Sequence, residues 1–375
     1  MPISRRQLNR TTLRRQFLLE RARLPLPEVV HRVLALQAQE PASPYLALSN
    51  RVEDFDPRGL DKAFAEGALV KASLMRITLH AVSVDDYPLL HAAMRPSLRA
   101  SRLNDRRFKE SGLTITQVDD HEPALLAGST EARTGAQMTD SLRAPFGDLA
   151  KNAWWAYRTY AALHHAPTGW PWSFGLRPSF MAAPMALPVD AHEASIDHLV
   201  HRYLASFGPA TVADIAQFTL LSRGVARAAL DRLGNIATCL EGPDGEELHD
   251  IAGLEVAADV PAPPRLLPMW ESILLAYADR SRVIPPNYRP LVIRRNGDVL
   301  PTLLVDGYVA GVWRPRDGII EATAFERLAE ASWAELATEA AELVRLLSVR
   351  DPAAYSRFGR SWAELPSAEV RTLPG

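Results

Sequence analysis

The sequence predicts an α+β protein in which units of three helices closed by a β-hairpin precede a C-terminal region of hairpins and one long helix. Three observations predict it. Residues 195–252 read as helix, turn, helix, helix and hairpin, which is the order of a winged helix, and residues 1–95 repeat that order. After Pro261-Ala262-Pro263-Pro264 the chain turns to strand and tight-turn signals, with Asn296-Gly297 and Asp306-Gly307 the strongest.

In chain order, residues 9–18, 27–37 and 60–68 read as helices, and 70–82 as a returning strand pair. On the last strand Arg76, Thr78 and His80 share one face while Met75, Ile77 and Leu79 share the other. The polar face suits solvent exposure or DNA contact equally. Residues 96–192 are less regular: a long helix over 148–164 precedes a loop at Thr168-Gly169-Trp170-Pro171-Trp172. In the next unit Gly208-Pro209-Ala210 closes a helix over 195–207. Thr211 caps a helix over 212–218, Ser222 caps one over 223–233, and strands at 236–240 and 246–251 flank Gly242-Pro243-Asp244-Gly245. An amphipathic helix over 325–347 is expected to cover the final sheet.

Composition keeps the chain among ordinary globular proteins. Its 375 residues suit two to four domains, and 47% hydrophobic with 23% charged residues is unexceptional. No apolar run reaches the ~18–20 residues that cross a bilayer, and no signal-peptide core opens the sequence. The single Cys239 excludes an internal disulfide and a multi-cysteine metal site, and fits a reducing cytoplasm.

A net charge of −2 argues against a nucleic-acid partner, but its distribution argues back. Arg5, Arg6, Arg10, Arg14, Arg15, Arg21 and Arg23 face Glu20 alone, and Arg95, Arg99, Arg102, Arg106, Arg107 and Lys109 form a second basic block. Local field, not net charge, governs phosphate neutralisation.

The chemical signal lies at Gln37-Ala38-Gln39-Glu40-Pro41. Pro27 suits a first helical position, Val29, Val30, Val33 and Leu34 form a buried stripe, and Gln37 continues it. In a helix Gln39 would point about 200° from Gln37. Pro41 biases Glu40 toward extended geometry, ending the helix near Ala38, and in extended backbone residues two apart share a face. The two amides then converge at an exposed helix exit. On spacing alone, amides that simply bond loose carbonyls and solvent are the better fit.

Other chemistries find little support. His164-His165 and His198-x-x-His201 lack a carboxylate or cysteine at ligand spacing, so neither metal nor cofactor is expected. No P-loop, dinucleotide fingerprint or nucleophile elbow occurs. Cys239 reads as a small hydrophobe in a hairpin strand, and most of the eight tryptophans as core.

The segments Leu36-Gln37-Ala38-Gln39-Glu40-Pro41, Ser43-Pro44-Tyr45 and Leu74-Met75-Arg76-Ile77-Thr78-Leu79-His80 resemble the tandem winged-helix DNA glycosylases of the YcaQ/AlkZ type. Gly208-Pro209-Ala210-Thr211 with Asp214 and Ala216 resembles their third-domain pattern. Glu271 stands where the family usually carries Asp. The two-glutamine motif is that of the AlkZ branch; the YcaQ branch carries Gln-apolar-Asp.

The resemblance implies three tandem winged helices (1–95, 96–192, 193–258) and a C-terminal hairpin and helix region (259–375). It implies a monofunctional glycosylase, with Gln37 and Gln39 catalytic, that releases N7-alkylated purines and unhooks interstrand crosslinks in self-resistance to an alkylating antibiotic. Its partner would be duplex DNA carrying such lesions, bound by a monomer in the cytoplasm at the nucleoid. A cationic base departs without protonation, so amides that hold water and align dipoles can suffice. Glu40 remains a possible base. Arg76, Thr78 and His80 would contact DNA. The turn at Asp306, Gly307, Tyr308 and Val309 would enter a groove, with Arg314 and Arg316 on phosphates, unless it packs against the final helix. The competing class is a non-enzymatic winged-helix regulator, which leaves the glutamine motif without a purpose.

Overall fold

The first helix is set by its cap. The Ser4 hydroxyl accepts from the Gln7 N–H and the Gln7 amide oxygen accepts from the Ser4 N–H, which starts α1 (Arg5–Arg15). The structure, a computed structural model, describes residues 2–175, 177–183, 192–362 and 365–375. Helix α2 (Leu26–Arg32) and strand β1 (Leu36–Gln37) follow. The helix expected over 27–37 stops at Arg32, because Leu34 takes a left-handed conformation (φ 72°) that helical turns do not accept. Helix α3 (Ser43–Ser49), with Pro44 in its first turn, has no counterpart in the sequence-based expectation.

After α4 (Pro57–Ala65) come β2 (Leu69–Ser73) and β3 (Leu79–Ser83), where a strand pair is expected. A tight turn at 75–77 separates them, with Arg76 and Ile77 left-handed (φ 53° and 59°). Arg76 and Thr78 are therefore not part of one strand face with His80. Helix α5 (Tyr87–Leu103) runs through the boundary expected at 95/96. It leads to α6 (Arg106–Lys109), α7 (Ile115–Ala127), β4 (Arg133–Thr134), α8 (Gly135–Ser141) and α9 (Arg143–Phe146). Helix α10 (Ala150–Tyr160), shorter than the expected 148–164, precedes β5 (Leu163–Ala166) and β6 (Ser179–Ala182). One antiparallel sheet in the order β1-β3-β2-β5-β6-β4 collects strands from both sides of residue 95, through pairing of Lys71 with His165. The approach to the boundary at 192/193, residues 184–191, lies outside the described residues.

Helices α11 (His192–Phe207), α12 (Val212–Thr219) and α13 (Arg223–Leu233) and strands β7 (Ala237–Glu241) and β8 (Glu247–Ile251) appear in the order expected for 195–252. Thr211 and Ser222 cap α12 and α13, and Ala210 bridges to His249. The C-terminal region holds β9 (Arg265–Leu267), α14 (Arg289–Val292), β10 (Thr302–Val305), β11 (Tyr308–Arg316), β12 (Ile319–Ala324), α15 (Glu330–Arg350) and β13 (Glu369–Leu373). Its antiparallel sheet runs β13-β12-β11-β10-β9, with α15 against β9, β12 and β13. The chain is thus α+β, with helices and antiparallel sheets.

Glu271 has a structural role. It lies buried against Arg51, itself without exposure, in a two-pronged ion pair with N–O distances of 2.7 and 3.0 Å. Arg51 also donates to the Ala47 carbonyl at 3.0 Å. The pair ties the end of α3 to the segment after β9. Removing one partner strands the other charge in the interior. Glu271→Leu should therefore lower unfolding free energy by about 3–5 kcal/mol, with much of the loss recovered when Arg51→Met is added. Denaturant melts decide it: a single-variant loss below about 1 kcal/mol, the value of an exposed pair, would contradict a buried anchor.

Candidate active site

The left-handed Leu34 turns the chain out of α2 and lays β1 along β3, with Leu36 opposite Ala81 and Gln37 opposite His80. The Ala38 N–H donates to the Leu79 carbonyl at 2.8 Å, so the extended backbone continues past Gln37. Gln37 ends β1, and Gln39 follows two residues on at a bend, so the two are not equivalent. Gln37 is buried, with 4% exposure, and Gln39 is exposed. The expected helix exit is replaced by the end of a strand, and the expected exposure holds for Gln39 but not for Gln37.

Three side chains converge at Gln37. The left-handed turn at 76–77 folds Arg76 back, so that its Nη2 donates to Gln37 Oε1 at 2.6 Å and lies 3.5 Å from His80 Nε2. His80 Nδ1 lies 3.0 Å from the Thr78 carbonyl. With Nδ1–H donating there, Nε2 is left with its lone pair toward Arg76. The guanidinium carbon of Arg76 sits 4.7 Å from the centre of the Phe218 ring, on α12. Burial and then the charge of Arg76 push His80 down to about 3, and burial and then Arg280 push Arg76 down to about 10. At neutral pH the cluster is one neutral imidazole, one guanidinium and one amide. Gln39 is held more lightly: its Oε1 accepts from the Leu79 N–H at 3.3 Å.

The carboxylate next in sequence turns away. Glu40 is buried and pairs with Arg357, beside Trp172, Phe174 and Tyr355. Lys71 is also removed from the site. It shares a register row with Ala81 and Leu36, and so takes the face opposite Gln37, His80 and Ala72. Burial lowers its ammonium to about 8.

This geometry can be set beside known proteins. A model described as "DNA glycosylase AlkZ-like" matches residues 30–346. The chain belongs to the AlkZ-like DNA glycosylase family. An interstrand DNA cross-link repair glycosylase of Streptomyces sahachiroi is 27% identical over 371 residues, covering 93% of this chain and 98% of that protein. The solved structure of the Streptomyces sahachiroi DNA glycosylase AlkZ superposes with a TM-score of 0.80 at 23% identity, covering 93% of this chain and 98% of that one. Family membership makes the chain a DNA glycosylase and sets aside the non-enzymatic regulator.

Several surfaces of this AlkZ-like glycosylase expected to face DNA are engaged within the chain. His80 is fully buried, and Thr78 spends its hydroxyl on the Met75 carbonyl at 3.1 Å. The turn after β10 does not project. Asp306 is gripped by Arg6 and Arg10, Asn9 donates to the Gly307 carbonyl at 2.7 Å, and Val309 is buried. A Cβ on Gly307 would lie 2.4 Å from both Asn9 and Arg10, so its backbone meets α1, not the final helix. Tyr308 stands at the edge of this contact, half-buried. Arg314 and Arg316 lie toward the next turn, at Asp317-Gly318, and both pair with Glu321.

The N-terminal arginine block is likewise spoken for. Arg5, Arg6, Arg10, Arg14, Arg15, Arg21 and Arg23 each pair with a carboxylate, from Asp244, Asp259, Asp306, Glu255, Asp250, Glu339 and Glu53 among others. In the second block Arg95, Arg99 and Arg106 are paired, while Arg102 and Arg107 lie over Trp155. The residues that sequence reasoning did not assign are Phe218 and Arg280. Only Arg280 carried a local hint, in the basic string Arg280-Ser281-Arg282.

Arg76 is partly exposed and holds the Gln37 oxygen, so its first role is to orient that amide. Arg76→Ala should slow single-turnover base release at least tenfold, or about 1.4 kcal/mol, with duplex affinity within about twofold. A fall in affinity with an unchanged rate constant would instead make Arg76 a DNA contact.

Proposed function

We propose that this chain is a monofunctional glycosylase that hydrolyses the N-glycosidic bond of N7-alkylated purines and unhooks DNA interstrand crosslinks, with Gln37 and Gln39 as its catalytic pair. The observation that carries this reading is an amide pair at the end of β1, with Gln37 held by Arg76 beside His80, Gln39 two residues on against the Leu79 N–H, and Glu40 turned onto Arg357. Such a site offers positioned dipoles and no evident strong acid. An N7-alkylated purine supplies its own positive charge and leaves without protonation, so positioning suffices.

The two glutamines divide the work. Gln37 Oε1 is occupied by Arg76, so this amide is the fixed member that supports the water or aligns the sugar. Gln39 is exposed, and its oxygen keeps a lone pair beyond the one given to Leu79, so it is the member that holds the attacking water. Lys71 on the far face of the sheet offers no amine to the sugar, which favours hydrolysis over a Schiff-base lyase step. The activity named for the Streptomyces relative supports the crosslink assignment.

In this reading three winged helices in series, spanning 1–258, grip the duplex as a monomer in the cytoplasm, at the nucleoid. With the N-terminal arginines paired internally, the cations near the motif are Arg280 and Arg289. Arg280 acts on the charge of Arg76 and Arg289 on that of Arg280, and neither has a carboxylate partner among the described residues. They take the role of phosphate contacts beside the lesion.

Duplexes carrying N7-methylguanine, uracil or 8-oxoguanine test the function directly. Only the cationic base should be released, leaving an abasic site with an intact backbone. Gln37→Ala or Gln39→Ala should cost about a hundredfold in rate, on the order of 3 kcal/mol. Efficient uracil release, or wild-type rates in both variants, would overturn the amide mechanism. Separately, Arg280→Ala and Arg289→Ala should each weaken binding to any duplex and flatten the slope of log affinity against log salt by about one. An unchanged slope in both would move the phosphate contacts elsewhere.

A further inference from the structure

We propose that the β7–β8 hairpin carries a divalent-metal site formed by Cys239, Glu247 and His249, and that zinc is the ion it takes. The pairing of the hairpin builds it. Cys239 lies directly opposite His249, and Glu247 is two residues before His249 on the same strand, so all three share one face. Leu248 points to the other face, into the small apolar cluster with Ile3 and Leu8. The outer face is therefore free to carry chemistry.

Two of the three edges already have the spacing the ion needs. Tetrahedral zinc, with bonds of about 2.3 Å to sulfur and 2.0–2.2 Å to nitrogen and oxygen, requires ligand atoms about 3.4–3.6 Å apart. Cys239 Sγ lies 3.6 Å from His249 Nδ1 and 3.3 Å from Glu247 Oε1, the nearest imidazole nitrogen to Glu247 Oε1 is His249 Nε2 at 3.9 Å, and one ligand atom from each of the three residues falls within 4.8 Å of the others, so the Glu247 side chain closes by a few tenths of an ångström on binding. Thiolate, imidazole and carboxylate together form a borderline-soft set suited to zinc, where magnesium and calcium prefer oxygen alone.

The scaffold is held on both sides. His249 exchanges main-chain hydrogen bonds of 2.8 and 2.9 Å with Ala210, so the ligand strand is flanked by β7 and by the turn before α12. An exposed cysteine is itself uncommon, since free cysteines are among the most buried residue types, and ligation gives this one a purpose. Zinc binding displaces the thiol proton to solvent and leaves a fourth position for water. Cys239 and Glu247 are exposed while the His249 side chain is largely covered, with Arg227 and Asp231 acting on its charge, and the assignment is ion binding that clips the two strands together.

The sequence alone shows no sign of this site, because its ligands stand eight residues and then two residues apart across a turn.

Cobalt reads the site in the intact protein after chelator treatment. Because Cys239 is the only cysteine, a thiolate-to-cobalt absorption band can arise from no other residue. The expected result is a band saturating at one cobalt per chain and displaced by zinc. It should be absent in Cys239→Ser, and His249→Ala should need at least tenfold more cobalt. Zinc should also slow alkylation of Cys239 at least tenfold in the unaltered chain, a measurement that needs no variant to fold. No band together with unprotected alkylation, or equal cobalt affinity in a folded His249→Ala, overturns the assignment.

Discussion

Helix α1 is buried with polar groups on it, and the need to satisfy those groups organises three regions of the chain. Asn9, Arg10, Thr11, Thr12 and Gln16 have no exposure. A polar group taken from water costs free energy until it finds a partner. Asn9 finds the carbonyls of Arg282 and Gly307, Thr12 finds the Tyr277 hydroxyl at 2.6 Å, and Gln16 finds the Ser206 carbonyl. Arg15 closes on Asp250 at the end of β8. Tyr277 donates onward to the Phe207 carbonyl at 2.7 Å, joining α11 to the segment after β9. Few other positions of the C-terminal sheet and of α11 would satisfy all of these at once.

That arrangement explains the electrostatics of the site. Most arginines that would make a broad basic face are consumed in holding α1 and its neighbours. The cations left near the motif stand where α12 and the segment after Glu271 meet the turn at Arg76. A carboxylate among them would be drawn into ion pairs, as Asp306 and Glu321 are, and lost as a water-activating base. An uncharged amide can accept from such an arginine, as Gln37 does from Arg76, without becoming half of an ion pair. The two-glutamine motif and its arginine-rich surroundings are thus mutually consistent.

Much of this was legible in local sequence and some was not. The caps at Thr211 and Ser222 and the turn at 242–245 placed α12, α13 and the hairpin, because each signal acts within a few residues. The helix over 27–37 overran by five residues, since the apolar stripe continues while the backbone leaves the helix at Leu34. Extended geometry at Gln37 was readable from Pro41, but its burial was not: that depends on Arg76 and on Phe218, 181 residues away in the chain. The basic N-terminus misled for the same reason, as Arg15 meets Asp250 at a separation of 235 residues. The pairing of strands across residue 95 was not foreseen, because a sheet joins strands by geometry and the β2–β5 contact leaves no mark in either strand.

The contact between Arg76 and Phe218 has a consequence for how this activity can be inherited. The glutamines and their arginine are encoded early, and the ring on which that arginine rests belongs to a helix encoded much later. A recombination event with its break between the codons of β3 and of α12 would transmit the whole recognisable motif, yet deliver it without the ring on which Arg76 rests. The unit that descends intact is therefore the long reading frame, and a short match to the motif in another gene is not evidence of the same chemistry.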